Sequence, residues 1–413
     1  MAELEETKKS RRGLRMMVVS LLALGLTLTG CSAIDGTSRP GATASSSAGR
    51  TTTPTPSAPP ANPAVIALNM KDGATFVNPV TPISAEVTHG KVSHVVLKET
   101  ATGAVTEGTA GADGRSWVNK GPLKFNTGYT FNVTAVDADG NKTTKVSTFT
   151  TVPASHEADA VLYPAADSTV GVAQPLQFVF SEPVVNKEAV EKAIKITSSA
   201  GQAGAFRWYS DTLVRYRAAD FWAANSSINV DMKLLGMDLG NGMIANFNKN
   251  YNIQIGNKVV MEANAATHSV SVFVNDVVAR TFPATLGDAD FPSASGYMVI
   301  TGDKQRYATF KAASIGLKPG DPGDYGSVDV EFASRLSNSG IFIHQATPSA
   351  MPYLGVANLS HGCIGLSPEG AGWVFENMRA GDLVHTVGTP NETIAATDGF
   401  GDWNIPFEVY ASR

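Results

Sequence analysis

Cysteine is almost absent from this chain: its 413 residues contain two, Cys31 and Cys363. Two cysteines cannot build a disulfide framework, so the folded parts must rest on ordinary hydrophobic cores. A bridge between the two is possible by count alone, but Cys31 has a better explanation, given below. Basic charge is not in excess either: 32 Lys and Arg stand against 37 Asp and Glu, a formal net charge of −5. No basic patch and no interleaving of aromatic and basic residues occurs, which removes nucleic acid from the candidate partners. The apolar run at residues 16–28 has 13 residues, short of the ~20 that a membrane-spanning helix needs. Residues 64–256 hold no cluster of His, Asp or Glu with metal-ligand spacing. What the chain has in quantity is Gly (39) and Pro (22), with 43% hydrophobic residues. Many turns around ample cores predict a mainly β protein of two to three domains.

In chain order, a basic stretch from Lys8 to Arg15 precedes the short apolar run, which ends in Leu28-Thr29-Gly30-Cys31. This resembles a bacterial lipoprotein signal, and the resemblance implies that Cys31 is lipidated and becomes the N-terminus of a membrane-anchored protein. Residues 1–30 are then the signal peptide. Residues 31–63 carry the lipidated cysteine and a Ser, Thr, Ala, Gly and Pro-rich linker that cannot bury enough surface to fold. A flexible tether of this length has an end-to-end distance on the order of 30 Å.

Residues 64–152 alternate apolar and polar at 83–87 and 129–136. Turn signals lie between, among them Asp72-Gly73, His89-Gly90, Asp113-Gly114 and Asp139-Gly140-Asn141. This is the pattern of an immunoglobulin-like sandwich, and Asn126-Thr127-Gly128-Tyr129 suits a tyrosine corner. With no cysteine pair, an antibody-type disulfide is excluded. Residues 167–180 echo residues 72–87 about 95 positions later, which predicts a second such module at 153–256 with a short helix inserted near 188–196. Both modules read as spacers or binding surfaces. A new alternating region starts near Val259, with a hairpin turning at Asn275-Asp276 and a Gly, Pro and Asp-rich loop at 318–326.

The chemistry concentrates in residues 341–366, IFIHQATPSAMPYLGVANLSHGCIGL. Ile341-Phe342-Ile343 reads as a buried strand, and His344 follows it at once. After a 15-residue loop come Ser360-His361-Gly362-Cys363, and Ser367-Pro368-Glu369 reads as the N-cap and first turn of a helix closed by Gly381. A thiol needs a base or cation beside it to become a nucleophile, and His344 and His361 are the candidates. Gly362 lets the backbone turn tightly, so its N–H and that of Cys363 are candidate oxyanion donors. His344, His361 and Cys363 could ligate zinc, but no fourth ligand is evident, so no metal or cofactor is implied.

His344, the spacer, then Ser360-His361-Gly362-Cys363-Ile364 resembles the signature of the L,D-transpeptidase catalytic domain (YkuD-type) of bacterial cell walls. The C-terminal Asp398-Gly399-Phe400-Gly401-Asp402-Trp403-Asn404-Ile405-Pro406 resembles the cap of actinobacterial members with two immunoglobulin-like modules. The resemblance implies a catalytic domain at 257–388 and a cap at 389–413, with Trp403 anchoring the cap to the catalytic domain. It implies Cys363 as nucleophile and His344 as base, oriented by an oxygen of Gln345, more naturally the backbone one. His361 then supports the loop or the thiolate, and Ser360 fixes the turn. Tyr325 on the 318–326 flap, Gln345, Asn358 and Gly365 become substrate-binding positions. Gly365 departs from the usual Asn or Arg, which puts fine substrate placement in question. The implied partners are donor and acceptor peptidoglycan stem peptides, with carbapenems as covalent inhibitors. The implied reaction is 3→3 cross-linking on the outer face of the cell membrane. An L,D-carboxypeptidase using water, and a wall-binding lipoprotein without turnover, are the alternatives.

Overall fold

The structure, a computed structural model, describes residues 62–412. The leader, Cys31 and nearly all of the linker lie outside the described residues. Among the described residues no helix is long and apolar enough to cross a membrane.

The first two sheets face each other across one core. One runs, in spatial order, Val65–Leu68, Ser84–Thr88, Ser116–Asn119, Gly108–Ala110. The other runs Ala74–Val77, Lys142–Thr151, Gly128–Val136, Lys91–Glu99, Val105–Thr106. Alternation along Gly128–Val136 sends Tyr129, Phe131, Val133 and Ala135 inward, as period-2 side chains must go when one face of a sheet is buried. The Lys124 N–H donates to the Tyr129 hydroxyl at 3.0 Å, so the expected tyrosine corner is formed.

The second sandwich repeats the wiring. Ala74–Val77 pairs in parallel with the last strand of its module, Lys142–Thr151, and Thr169–Val170 pairs in parallel with Asn248–Ile255. The sequence echo between 72–87 and 167–180 thus corresponds to equivalent strands. The inserted helix is shorter than expected, Lys187–Ala193, because Ile194 to Ser198 pair with Ile228 to Met232. Ladder hydrogen bonds and a core position for Ile194 outweigh local helix propensity.

From Val259 the chain builds a nine-stranded sheet. Its spatial order is Gly296–Val299, Leu383–Val387, Val259–Asn264, Ser269–Val274, Val277–Thr285, Ile364–Leu366, Phe342–Gln345, Ser327–Arg335, Lys304–Lys311. Asn275 and Asp276 both take positive φ (50° and 66°), the two-residue turn that matches strand twist. The helix Pro368–Asn377 packs Ala371 and Val374 onto this sheet, and the Gly370 N–H donates to Ser367 Oγ at 3.1 Å, the expected cap. Its other end differs from expectation. Gly381 does not close the helix, which stops at Asn377. Lys304 instead reaches in from a strand, and its ammonium donates to the carbonyls of Phe375 and Met378. A cation on orphan carbonyls does what a C-terminal glycine turn would have done.

The C-terminal segment is also wired differently from expectation. Trp403 does not anchor it to the catalytic sheet alone: its Nε1–H donates to the Ala173 carbonyl of the second sandwich at 2.7 Å, and its ring packs on Phe221. Asn404 makes the link to the catalytic sheet, accepting from the Tyr297 N–H (2.7 Å) and donating to the Tyr297 carbonyl (2.8 Å). Arg215 and Arg217, from one strand of the second sandwich, reach into the same segment. The cap therefore joins the second sandwich to the catalytic sheet.

Candidate active site

Parallel pairing of Phe342–Gln345 with Ile364–Leu366 places Ile343 opposite Ile364 and His344 opposite Gly365. A parallel pair needs a crossover connection, and residues 346–363 supply it. His344 and Cys363 are 19 positions apart in sequence yet reach one cavity because the crossover returns the chain beside its own start. His344 lies within the strand, not after it as the sequence suggested.

The cavity holds about 470 Å³. Cys363, His344, Ser360, His361, Tyr325 and Gly365 line it together with Thr285, Phe310, Ser327 and Leu359. A smaller cavity of about 220 Å³ shares Cys363, His361, Tyr325 and Phe310, but is walled on its other side by Arg335, Ser339 and Gly340.

His344 is 6% exposed. Burial pushes its pKa down to about 4, because a low-dielectric site penalises the imidazolium. Its Nδ1–H donates to the Gln345 carbonyl at 2.6 Å, which leaves Nε2 as the basic nitrogen. This is the backbone oxygen that the family resemblance pointed to; the Gln345 side chain faces a different groove with Tyr307, Asp329 and Glu331. The phenyl ring of Phe310 meets the imidazole edge-on at 5.2 Å.

Cys363 carries a free thiol. Desolvation of its sulfur pushes the pKa up to about 11, opposed by a backbone hydrogen bond from Phe342 and by the Arg335 charge. The thiol donates to the Gly340 carbonyl at 3.6 Å, not to His344. Imidazole and thiol thus share a cavity as two neutral groups, each turned to a backbone carbonyl.

The intervening loop explains the Ser-His-Gly spacing. Ser360 Oγ–H donates to the Cys363 carbonyl (2.6 Å) and accepts from the Gly362 N–H (3.2 Å), a local turn that presents the cysteine. Gly362 has φ +105°, a conformation that other residues rarely adopt. Its N–H is engaged by Ser360 and is not a free oxyanion donor, a correction to the sequence reading. His361 Nε2–H donates to the Gly323 carbonyl of the flap at 2.7 Å, and its ring lies between Phe291 (4.4 Å) and Tyr325 (5.0 Å). It contacts the flap rather than the thiol. Burial, with a smaller contribution from Cys363, raises the pKa of the Tyr325 phenol.

Two expected substrate positions change meaning. Asn358 does not line the cavity. Its Oδ1 accepts from the Leu286 N–H (3.0 Å) and from His268 Nδ1 (2.9 Å), and its Nδ2–H donates to the Ala265 carbonyl (2.9 Å). With both acceptor sites and one of its two N–H donors engaged, this amide holds the crossover to the sheet. Gly365 does line the cavity, but a Cβ there would lie 2.7 Å from Thr285 Cγ2. The neighbouring strand occupies the space that a larger residue would need. Sequence reasoning missed Thr285, Phe310 and Ser327, and also Gly340 and Arg335. Alternation in Lys304–Lys311 placed Phe310 on an inward face, but nothing local assigned that face to this cavity.

Residues 258–386 match the L,D-transpeptidase catalytic domain family, and residues 74–238 match a bacterial Ig domain family. L,D-transpeptidase 2 of Mycobacterium tuberculosis (strain CDC 1551 / Oshkosh) is 32% identical over 342 residues, covering 83% of both chains. L,D-transpeptidase 5 of Mycobacterium tuberculosis (strain ATCC 25618 / H37Rv) is 30% identical over 348 residues, covering 83% of this chain and 75% of its own. A solved L,D-transpeptidase in complex with imipenem is 29% identical, with a TM-score of 0.48, covering 55% of this chain and 97% of that one. With its catalytic-domain match, and a relative 32% identical across 83% of both sequences, the chain belongs to the L,D-transpeptidases, enzymes of the acyltransferase class.

Proposed function

We propose that this transpeptidase forms 3→3 cross-links in peptidoglycan, with Cys363 as nucleophile and His344 as base. The observation that carries the roles is that one cavity is lined by a free thiol and by a neutral imidazole whose Nδ1–H is already committed to Gln345. Sγ attacks the carbonyl between the third residue of a donor tetrapeptide stem and its terminal D-Ala. The thiol proton passes to His344 Nε2 and from there to the leaving nitrogen, so that D-Ala departs and a thioester remains. The side-chain amine of a second stem's diamino acid then attacks the thioester. An amide forms, the C–S bond breaks and the thiol is regenerated. The negative charge on the tetrahedral oxygen needs backbone donors, and with Gly362 engaged by Ser360, the Cys363 N–H is the donor that remains of the two expected ones. His361 and Tyr325 hold the flap over the reacting centre. A carbapenem presents a strained carbonyl to the same sulfur, and a relative is known in complex with imipenem.

Intact mass of residues 62–413 after incubation with a carbapenem, then product analysis with tetrapeptide donors, tests this. A single adduct absent from Cys363→Ala, with D-Ala release coupled to dimer formation, is the expected result. Release of D-Ala without dimer would replace the amine acceptor by water, and no adduct on folded protein would remove Cys363 as nucleophile. The signal and tether support a lipid anchor at Cys31 on the outer face of the cell membrane. Radiolabelled fatty acid should enter the wild type and not Cys31→Ser, and equal labelling would exclude the anchor.

A further inference from the structure

Cys363 stands at the boundary of two cavities with different chemistry. His344 lines only the larger one. Arg335 and Lys311 line only the smaller one, and His361 lines both. No Asp or Glu lines the smaller cavity. At about 220 Å³ it has under half the volume of the larger cavity.

Arg335 is held ready. Its Nε–H donates to Asp303 Oδ2 at 2.6 Å and its Nη1 donates to the Ser337 carbonyl at 3.2 Å, while the guanidinium lies 4.4 Å from the centre of the Phe342 ring. Nη2 makes no hydrogen bond among the described residues. A planar cation fixed on three sides, with one edge open, is suited to a carboxylate. The donor chemistry proposed above supplies one. The leaving residue carries its free carboxylate on the carbon bonded to the leaving nitrogen, so that carboxylate lies under about 4 Å from the carbonyl that Sγ attacks. When the reacting carbonyl is at Cys363, the carboxylate must therefore enter a space bordering the sulfur.

We propose that the smaller cavity is the carboxylate subsite of the donor stem, with Arg335 as the residue that binds the terminal carboxylate and Lys311 as a second, more exposed cation. This rests on the donor reading above. It makes Arg335 a specificity residue: the enzyme takes stems with one residue beyond the scissile bond, and the departing amino acid leaves through the cationic side while the acceptor amine approaches from the side of His344. Separating the two paths also keeps a cationic acceptor away from Arg335.

Two measurements on the soluble protein test the subsite separately from turnover. The first compares acylation by a tetrapeptide donor with a free terminal carboxylate against its terminal amide. Wild type should favour the acid by tenfold or more in kcat/KM, and Arg335→Gln should bring the ratio near one, with Arg335→Lys restoring part of it. The second compares alkylation of Cys363 by iodoacetate and by neutral iodoacetamide, and it needs no transpeptidation. The iodoacetate-to-iodoacetamide ratio should fall several-fold in Arg335→Gln, and should rise in Asp303→Asn, which removes the competing carboxylate. Equal use of acid and amide by the wild type would overturn the subsite even if Arg335→Gln failed to fold. An alkylation ratio unmoved in folded Arg335→Gln would reduce Arg335 to a support of its hairpin. If the alkylation ratio behaves as expected but no donor is turned over, the donor reading fails and the anion site stands.

Discussion

Two regions of this molecule take polar groups out of water and treat them in opposite ways. At the junction of cap and second sandwich, Arg215 and Asp402 are 4% and 0% exposed and meet at 2.6 Å. Each edge of the guanidinium is engaged, by Gln177 Oε1, the carbonyls of Ala396 and Gly399, and Asp402 itself. The Tyr209 hydroxyl donates to the other Asp402 oxygen at 2.7 Å, and its own pKa is raised by burial and by that carboxylate. In the catalytic cavity, Cys363 and His344 each make one hydrogen bond to a backbone carbonyl, and burial keeps both neutral. A buried charge survives where partners replace its water, and without them the group discharges. The first arrangement suits a joint. The second suits a site, because a neutral imidazole with a free nitrogen can still accept a proton.

This contrast can be broken by experiment. The largest effects are expected at the catalytic pair: Cys363→Ala should abolish carbapenem acylation, and His344→Ala should slow it by ~10²–10⁴, both with unfolding midpoints close to wild type. At the junction the pattern should invert. Asp402→Ala strands a buried Arg215 and should cost about 3–5 kcal/mol in urea unfolding, while the acylation rate of the folded fraction stays within twofold. A stable Asp402→Ala would mean that the junction does not depend on the pair.

The charge states sharpen the comparison. With His344 at about 4 and Cys363 at about 11, the unliganded pair is neutral between those values. Iodoacetamide alkylation should therefore rise about tenfold per pH unit from pH 6 to 9, and a plateau below pH 7 would reveal an ion pair instead. Stability carries the same signature. The folded His344 pKa lies below the unfolded 6.5, so the unfolded state binds more protons in that window. Stability is present above 6.5 and is lost as pH falls towards 4, and His344→Gln should flatten that loss. The smallest effect concerns Gly365. Gly365→Ala should cost about 1–2 kcal/mol through overpacking against Thr285, and Thr285→Ser should relieve it by removing the methyl that lies 2.7 Å away.

Much of this was legible in the sequence, for local reasons. Alternation and turn residues marked the sandwiches, because a half-buried strand must alternate. The tyrosine corner and the Ser367 cap were read correctly because their partners lie within five residues. His344, Ser360, His361, Gly362 and Cys363 were identified as a group through spacing and family likeness, and Gly362 shows a physical reason for its glycine in its positive φ. The failures involved partners far away in sequence. Gly381 was read as the helix stop because Lys304, about 70 positions upstream, could not be seen capping it. Asn358 was read as a substrate residue because its partners Ala265, His268 and Leu286 lie about 70 to 90 positions upstream, in the turn at 265–268 and just past the strand Val277–Thr285. The second cavity had no local signature, since Arg335 and Cys363 meet only through sheet pairing.

By itself, then, the sequence determined most of the element types, the presence of a repeated sandwich and the local turn that places Ser360, Gly362 and Cys363 together, because these depend on periodicity, turn chemistry and neighbours within a few residues. Tertiary structure alone decided the protonation states of Cys363 and His344, the engagement of Asn358, the bridging role of the cap and the approach of Arg335 to the cavity beside Cys363. Those depend on which distant groups displace water from a given atom, and strand pairing sets that.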